Sequence, residues 1–337
     1  MRKLYGGVDC TAYFDIAAYM KTCYSIDRTG IKRKRVIMAN DKDKIWDTIF
    51  KTLFQETPAL FLPLIEEAFH VSYKKEDIVP LDASLYNGDE AMVEPDHVFR
   101  IHDVTYHFEF QYTNDGTMAF RMWEYDIKLA LRDYKLNENQ MEFNFPKSCV
   151  VYIARNGNYP KDGLELKINF QDGQHIVFKV PVIRLQDYGL DVINGKKLWL
   201  FYPFMVLQFV ADMKGKKHLS EQEVLDNYRE MIDYIEAAYN NGEITIDEDV
   251  TLLEAIQETN RHTMKKYQKI MKGVEEMLNP TLELKHKQIA KEAAKETKQK
   301  MLVKMKIKGI PNSAIIEILQ DENTSAEEIE EMLDRQE

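Results

Sequence analysis

The sequence has few of the residues that build disulfide frameworks, collagen-like repeats or low-complexity tracts. Its 337 residues include three cysteines, 14 glycines and 10 prolines, whereas 45% of the residues are hydrophobic. Three widely spaced cysteines are too few for a disulfide framework or a cysteine-rich zinc site, which favours a reducing compartment. The apolar content is high enough to offset the entropy of folding. The composition therefore predicts a globular protein, and we expect it to be cytoplasmic.

A long hydrophobic run is also missing. The most apolar stretch, residues 198–211, contains Pro203 and is shorter than the roughly 20 residues that a helix needs to span a bilayer. No apolar segment follows a basic start at the N-terminus, as it would in a secretory signal. We therefore expect no membrane partner, and residues 198–211 are predicted to form a buried core helix.

The organisation along the chain is predicted from shifts in composition. Residues 1–37 contain scattered glycines and a basic run at 32–35, and we expect a poorly ordered leader there. Residues 38–240 alternate between helical and strand-like patterns and are predicted to form one domain. Residues 241–337 are predicted to be a helical C-terminal region.

Hydrophobic periodicity predicts the order of the elements. Apolar residues recur every three or four positions from residue 42 to 54, which is a helical period, and alternate with polar ones in residues 105–112, which is typical of a strand. A run of apolar, β-branched residues at 148–153 is typical of a buried strand. The full predicted order is helix, three strands, helix and strand, followed by a hairpin at 164–182 and further helices. This order predicts an α/β fold with a mixed sheet flanked by helices.

Polar residues of the strand at 105–112 form a candidate site. His107, Glu109 and Gln111 share one face, and a short link joins this strand to the preceding one, which Asp96 opens. Asp96 and Glu109 can therefore approach across the ladder, where two carboxylates repel unless a cation lies between them. Hard oxygen ligands favour Mg²⁺ or Mn²⁺. The alternative is an edge strand with a solvated polar face.

A histidine metal site is the less favoured interpretation of the same region. His97, His102 and His107 are spaced by five residues, which invites that interpretation. Strand parity, however, sends His97 and His102 to opposite faces of the sheet.

Four segments in order resemble a known family. They are residues 46–51 on the first helix, Glu109 to Tyr112 on the strand, residues 121–126 on the following helix, and residues 199–208 with Pro203-Phe204. Together with Pro95-Asp96 they are similar to the PD-(D/E)XK nuclease superfamily, in its recombination-promoting nuclease, or transposase-like, branch. The resemblance covers roughly residues 40–235 and implies a restriction-endonuclease-like αβββαβ core with a helical C-terminal extension.

The resemblance also implies roles for particular residues. Asp96 and Glu109 would hold the metal together with the backbone carbonyl of Phe110. Gln111 stands where the superfamily usually has lysine; it can orient the attacking water but supplies no charge, although the branch commonly carries glutamine there. Asp47 is the candidate acidic residue from the first helix, with Glu66 or Glu67 as the fallback.

Three further residues are assigned to phosphate contact or to bracing the site on the same resemblance. They are Lys51, Arg121 and Tyr125. The alternative for each is an ordinary exposed or capping side chain.

The net charge of −11 is unevenly distributed. Residues 261–308 carry a net charge of +9, which leaves −20 for the remainder of the chain. A long basic helix in this segment could lie along a DNA backbone, because each neutralised phosphate adds salt-dependent affinity. It could equally be the solvated face of a helix used for self-association. Residues 309–337 are acidic and are predicted to form two short helices, the second capped by Ser325 and Glu328.

The resemblance implies a Mg²⁺-dependent DNA endonuclease linked to mobile elements or recombination, and this is the function that we expect. Its predicted partners are DNA and, through the C-terminal helices, a second copy of the chain. The rival interpretation is a catalytically degenerate nuclease fold that acts as a DNA- or protein-binding scaffold, in which Asp96 and Glu109 are ordinary satisfied polar groups.

Overall fold

A computed structural model describes residues 41–81, 97–114, 116–155, 159–215, 217–320 and 325–334. The chain divides after Lys42 into two units, and the sheet and the candidate site belong to the second, Asp43–Glu337. The predicted leader, residues 1–37, lies outside the described residues, as does Asp96.

A mixed five-stranded sheet forms the centre of the fold, with the order β1-β2-β3-β6-β9. The strands of the described residues are β1 Ile78–Leu81, β2 His97–Ile101, β3 Val104–Gln111, β4 Lys135–Asn137, β5 Gln140–Glu142, β6 Lys147–Tyr152, β7 Leu164–Asn169, β8 His175–Val180 and β9 Val182–Arg184. β1, β2 and β3 are antiparallel neighbours, whereas β3, β6 and β9 run parallel. The expectation of an α/β fold with a mixed sheet is therefore confirmed.

Helices surround this sheet and continue to the C-terminal end. Those of the described residues are α1 Asp41–Glu56, α2 Leu62–Phe69, α3 Met118–Ala130, α4 Leu190–Gly195, α5 Met205–Lys214, α6 Glu221–Asn240, α7 Ile246–Thr263, α8 Gln268–Ile307, α9 Asn312–Leu319 and α10 Ala326–Asp334. Pro58–Phe61 and Trp199–Phe204 are 3-10 helical segments that lead into α2 and α5. None of the described helices combines the length and apolar character needed to cross a membrane.

β3 lies in the middle of the sheet, so the alternative interpretation, an edge strand with a solvated polar face, is wrong. Its alternation follows the predicted pattern of one aromatic and one polar face. The aromatic face packs on the helices before it: the ring of Phe50 in α1 stacks 3.7 Å from that of Phe110 and 3.9 Å from that of Phe204. The polar face is covered by α3 and is equally buried.

Residues 198–209 are buried, as predicted, and Val210 and Ala211 are half-buried, but the segment is not one helix. Trp199–Phe204 adopts the tighter 3-10 form around Pro203 before α5 begins. The buried Gln208 of α5 donates to the carbonyl oxygen of Ile153, at the end of β6, over 3.1 Å. A proline without an amide hydrogen explains the change of helix type, because it removes a backbone donor from an α-helical ladder.

The separate hairpin β7–β8 confirms the prediction around Asp172-Gly173. Gly173 has φ +88°, which suits glycine at the turn. The hairpin packs on α3 through Phe178, whose ring lies 5.2 Å from that of Trp123. Cys149 on β6 is fully buried, and burial raises the pKa of its thiol, in agreement with an inert core position.

The predicted basic segment, residues 261–308, is made of two helices. α7 ends at Thr263, and α8 runs from Gln268 to Ile307 with its first turns packed in the same core as the sheet. The core therefore continues across the predicted boundary at residue 240. Beyond Ile289, no residue of α8 up to Met301 is buried.

Lys285 belongs to the basic segment but faces the interior of the fold. It is 5% exposed, forms an ion pair with Asp249, and lies 3.1 Å from the Glu236 carboxylate and 4.2 Å from the Tyr239 ring centroid. Burial by itself would lower the pKa of Lys285, but hydrogen bonds with the two carboxylates outweigh burial and raise it. The lysine therefore joins α6, α7 and α8 as a buried cation.

The acidic end forms a small helical cluster on the last turns of α8. Leu302, Ile315, Ile329 and Leu333 are buried together, and Lys306 donates to the carbonyl of Leu333 over 3.1 Å. The predicted cap of α10 is confirmed, because Ser325 and Glu328 exchange side-chain to backbone hydrogen bonds. The acidic helices thus contact the basic one through apolar side chains.

Removing the buried cation should destabilise the fold. Replacement of Lys285 by alanine leaves Asp249 buried without its partner, and we expect the free energy of unfolding to fall by about 3–5 kcal/mol. Urea denaturation of the purified chain measures this change. The matched control is Lys287→Ala, an exposed lysine on the same helix whose removal should leave the midpoint unchanged. Equal midpoints for both variants would contradict the importance of the buried pair.

Candidate active site

The polar face of β3 and the inward face of α3 build one cluster of charged side chains. On β3, His107 and Glu109 alternate with aromatic residues and so face α3. On α3, Asp126 follows Met122 by four residues, which places both on the buried side of the helix. His107 and Asp126 are 0% exposed and Glu109 is 1% exposed.

His107 lies between the two carboxylates. Its Nδ1 is 2.8 Å from Asp126 Oδ1, and its Nε2 is 3.2 Å from Glu109 Oε1. A doubly protonated ring can donate to both carboxyl groups where these are ionised. Burial raises the pKa of Asp126, and the hydrogen bond with His107 opposes that rise. The geometry therefore places the ring of His107 between two carboxyl groups.

The pKa of His107 reflects this arrangement. Burial alone would lower the pKa, because it disfavours the charged ring. The hydrogen bonds with Asp126 and Glu109 outweigh burial and raise the pKa to about 9. The ring is therefore charged at neutral pH.

A second group of contacts links Glu109 to the surface. Gln111 Nε2 donates to Glu109 Oε2 over 3.3 Å, and an Arg121 guanidinium nitrogen lies 4.0 Å from the same oxygen. Arg121 also donates to Gln111 Oε1 and to the Tyr125 hydroxyl, each over 3.4 Å. Gln111 and Arg121 are half-buried, so the polar network runs from the buried imidazolium to solvent.

The structure thus brings together four residues singled out in the sequence: Glu109, Gln111, Arg121 and Tyr125. The ring of Phe110 points into the aromatic core on the other side of the sheet. Metal ligation by the Phe110 backbone carbonyl stays a prediction. Asp96 and the side chain of Asp47 lie outside what the structure describes.

The remaining candidates have other surroundings. Lys51 is exposed on α1, and Glu66 is exposed on α2. Glu67 binds Lys196 and accepts a 2.8 Å hydrogen bond from Tyr188. Burial would raise the pKa of Glu67, but these two partners lower it. The fallback carboxylate is therefore engaged in an ion pair of its own.

Asp126 was not predicted as a site residue, and His107 was predicted only as a neighbour of Glu109 on the polar face, without a role. Their signal was present in the sequence. His107 has the strand parity of Glu109, and Asp126 interrupts an otherwise apolar helix face formed by Met122, Tyr125 and Leu129. A charged residue on a face that periodicity predicts to be buried needs a partner, and a histidine on the facing strand is a suitable one.

The carboxylate of Glu109 is an oxygen ligand of the kind that Mg²⁺ accepts. The amide nitrogen of Gln111 faces this carboxylate, and its amide oxygen faces Arg121. Among the described residues, no three histidine, cysteine or acidic side chains are grouped as a metal site. A metal held here would therefore also need Asp96, which lies outside those residues.

Comparisons of the chain with protein-family models, with curated proteins and with solved structures find no match. The family resemblance of the sequence therefore stays a prediction.

The raised pKa of His107 predicts a dependence of stability on pH. The ordinary histidine pKa is about 6.5 and the folded value is about 9, so the imidazolium contributes its full stabilisation below about pH 6.5. That contribution is lost as the pH rises towards 9. We expect the thermal midpoint to fall over this window in the native chain and to fall less in His107→Gln. Parallel profiles for the two proteins would contradict the charged state of the ring.

Proposed function

We propose that the chain is a metal-dependent DNA endonuclease of the PD-(D/E)XK type, in the recombination-promoting, transposase-like branch. The observation that carries the proposal is the buried carboxylate of Glu109, which sits on the central strand beside Gln111 and Arg121. A strand residue of this kind, facing a half-buried arginine, can hold a divalent ion near a phosphate. The proposed reaction is hydrolysis of phosphodiester bonds in DNA.

The order of elements supports the restriction-endonuclease-like core. α1 precedes the antiparallel strands β1, β2 and β3, and α3 leads from β3 towards the parallel strand β6. With α2 as an additional helix before β1, and with the small β4–β5 ribbon inserted before β6, this order is consistent with the αβββαβ core that the resemblance implies.

The packing of the four resembling segments is a second support. The Phe50 ring from the first segment stacks between Phe110 of the second and Phe204 of the fourth. The third segment contributes Arg121 and Asp126 to the other face of the same strand. Segments that are distant in the chain thus surround β3.

The proposed metal ligands are Asp96, Glu109 and the backbone carbonyl of Phe110. The last described pair of β2 with β3 is His97 opposite Phe108. Asp96 precedes His97 in the sequence and lies outside the described residues. Mg²⁺ or Mn²⁺, when bound, would supply Lewis-acid activation of water and stabilise negative charge on the phosphate.

The other side chains have proposed roles that do not depend on covalent chemistry. Gln111 would orient the attacking water through its amide, and Arg121 would contact the phosphate from its position at the solvent end of the network. Tyr125 braces Arg121 through its hydroxyl. Asp47 and Lys51 remain the proposed acidic and basic contributions of α1.

The first test is divalent-ion-dependent nicking of supercoiled plasmid by the purified chain. Asp96→Asn and Glu109→Gln should each lower the nicking rate by at least about 100-fold, because each removes a charged metal ligand. The matched control is Glu142→Gln, an exposed carboxylate on β5, which should nick at the native rate. Equal rates for all four proteins would indicate a contaminating nuclease and refute the enzyme proposal.

The second candidate function is a degenerate nuclease fold that serves as a DNA- or protein-binding scaffold. One observation favours it: both carboxylate oxygens of Glu109 already contact side chains of the chain itself, His107 and Gln111. These two contacts stabilise the buried carboxylate without a metal ion. DNA binding that persists in the native chain without any nicking, in Mg²⁺ or Mn²⁺, would select this function.

DNA is the proposed partner of the basic part of α8. Lys291 and Lys295 are exposed, and no residue from Ala290 to Met301 is buried, so this stretch is open to a polyanion. The helix also exposes Leu284 and Ile307, which we propose as contacts to a second copy. We further propose a cytoplasmic location, consistent with the free thiol of Cys149.

The salt dependence of DNA binding tests the basic helix. The affinity for DNA should fall as salt rises, which gives a negative slope of log affinity against log salt concentration. Replacing Lys287, Lys291 and Lys295 by glutamine should make this slope less steep, by about 0.9 for each phosphate that the helix no longer neutralises. Fluorescence anisotropy with a labelled duplex at several salt concentrations measures this slope.

The control for this experiment removes the same charge elsewhere. Lys74, Lys135 and Lys214 are exposed lysines outside α8. Their replacement by glutamine should change the slope less than the α8 replacements do. Equal effects of the two triple variants would refute a specific role for the helix.

A further inference from the structure

One side of α8 carries a row of lysines that begins with an exposed leucine. Its members follow one another at three or four positions, which places them on the same side of a helix. They are Leu284, Lys287, Lys291, Lys295 and Lys298, and we call them the lysine face. Lys285 and Ile289 turn towards the core on the opposite side of the helix. The lysine face therefore points away from the body of the protein.

The acidic end of the chain packs on the continuation of this face. Leu302 follows Lys298 by four positions, Met305 follows Leu302 by three, and both pack in the cluster that α9 and α10 form. The charged residues of α9 and α10 are all acidic and exposed: Glu317, Glu327, Glu328, Glu330, Glu331 and Asp334. A basic face and an acidic cluster thus follow each other along one side of α8.

The acidic cluster is attached to α8 without using its carboxylates as the main contact. Leu302, Ile315 and Leu333 are buried together, and Lys306 donates to the backbone carbonyl of Leu333. The lysine face spans about 21 Å, at 1.5 Å per residue, and the two short helices are each about 13 Å long. The lysine face is therefore long enough to receive a cluster of this size.

A surface that is basic at one end and acidic at the other is complementary to a second copy of itself in the antiparallel direction. In a twofold pair every contact occurs twice with the roles exchanged, so both lysine faces meet an acidic cluster. We propose that two copies of the chain pair in this way through α8. Leu284, 69% exposed, and Ile318 on α9, 58% exposed, add apolar area to each half of the contact.

The pairing has a consequence for DNA binding, and this consequence alone rests on the proposed function. Lys291 and Lys295 belong to the stretch of α8 that is proposed to bind DNA, and the same side chains face the acidic cluster in the pair. One lysine cannot neutralise a phosphate and a partner carboxylate together. Self-association and DNA binding through α8 therefore exclude each other.

Charge reversal tests the pairing in the full chain. The native protein should sediment as a dimer at low ionic strength and dissociate as salt screens the charges. Lys291→Glu with Lys295→Glu, and separately Glu330→Lys with Asp334→Lys, should each weaken the dimer by about 100-fold, because like charges then meet. An equimolar mixture of the two double variants should form a dimer again, since each restores the complement of the other.

The matched control reverses two exposed lysines outside α8. Lys135→Glu with Lys214→Glu changes the net charge by the same amount and should leave the dimer intact. A native chain that stays monomeric at low salt throughout the micromolar range refutes the pairing. It is equally refuted by two charge-reversed variants that remain dimeric, or by a mixture of them that stays monomeric.

Addition of a DNA duplex separates this inference from the proposed function. Sedimentation of the native dimer with a labelled duplex should show monomers on the DNA as the dimer disappears. Dimers that bind the duplex with undiminished affinity refute the exclusion and leave the pairing in place. A dimer that does not bind the duplex at all removes the proposed DNA partner, while the charge-reversal result still decides the pairing.

Discussion

Three charged side chains, His107, Glu109 and Asp126, lie between β3 and α3 with almost no exposure to water. Burial of an ion costs several kcal/mol, and only close partners offset that cost. The imidazolium meets this requirement at 2.8 Å and 3.2 Å from the two carboxylates. Any rotation of α3, or a slip of β3 by one residue, would leave a buried charge without its partner. The ion cluster therefore specifies the register of the central strand as well as the position of Glu109.

The opposite face of β3 carries aromatic side chains and no charged ones. Phe110, the neighbour of Glu109, stacks on Phe50, and Phe50 stacks in turn on Phe204. The strand is thus held by aromatic packing on one side and by an ion cluster on the other. A carboxylate supported in this way has little freedom to move, which is the preorganisation that a metal or phosphate site requires. The half-buried Gln111 and Arg121 lie where this polar network reaches solvent.

In the C-terminal helices, lysines of the same basic segment have different surroundings. Lys285 and Lys287 are close in sequence and both belong to the basic segment. Lys285 is buried among Asp249, Glu236 and Tyr239, whereas Lys287 is exposed and pairs with Glu283 on its own helix. Helical periodicity separates residues two apart onto different faces, so counting charges along the chain overstates the positive charge that the segment exposes to solvent.

The sequence by itself determined most of the secondary structure and the class of the fold. The alternation in residues 105–112, the turn at Asp172-Gly173 and the cap at Ser325 are local signals, and each corresponds to an observed element. Tertiary structure alone decided that β3 is central, that His107 and Asp126 meet, and that Lys285 turns inward. These features depend on which distant segments pack together. His107 and Asp126 are 19 positions apart, and Asp249 and Lys285 are 36 positions apart, so no local sequence pattern predicts that they meet. Periodicity indicates which face of an element is buried, but only packing supplies the partner for a charge placed on that face.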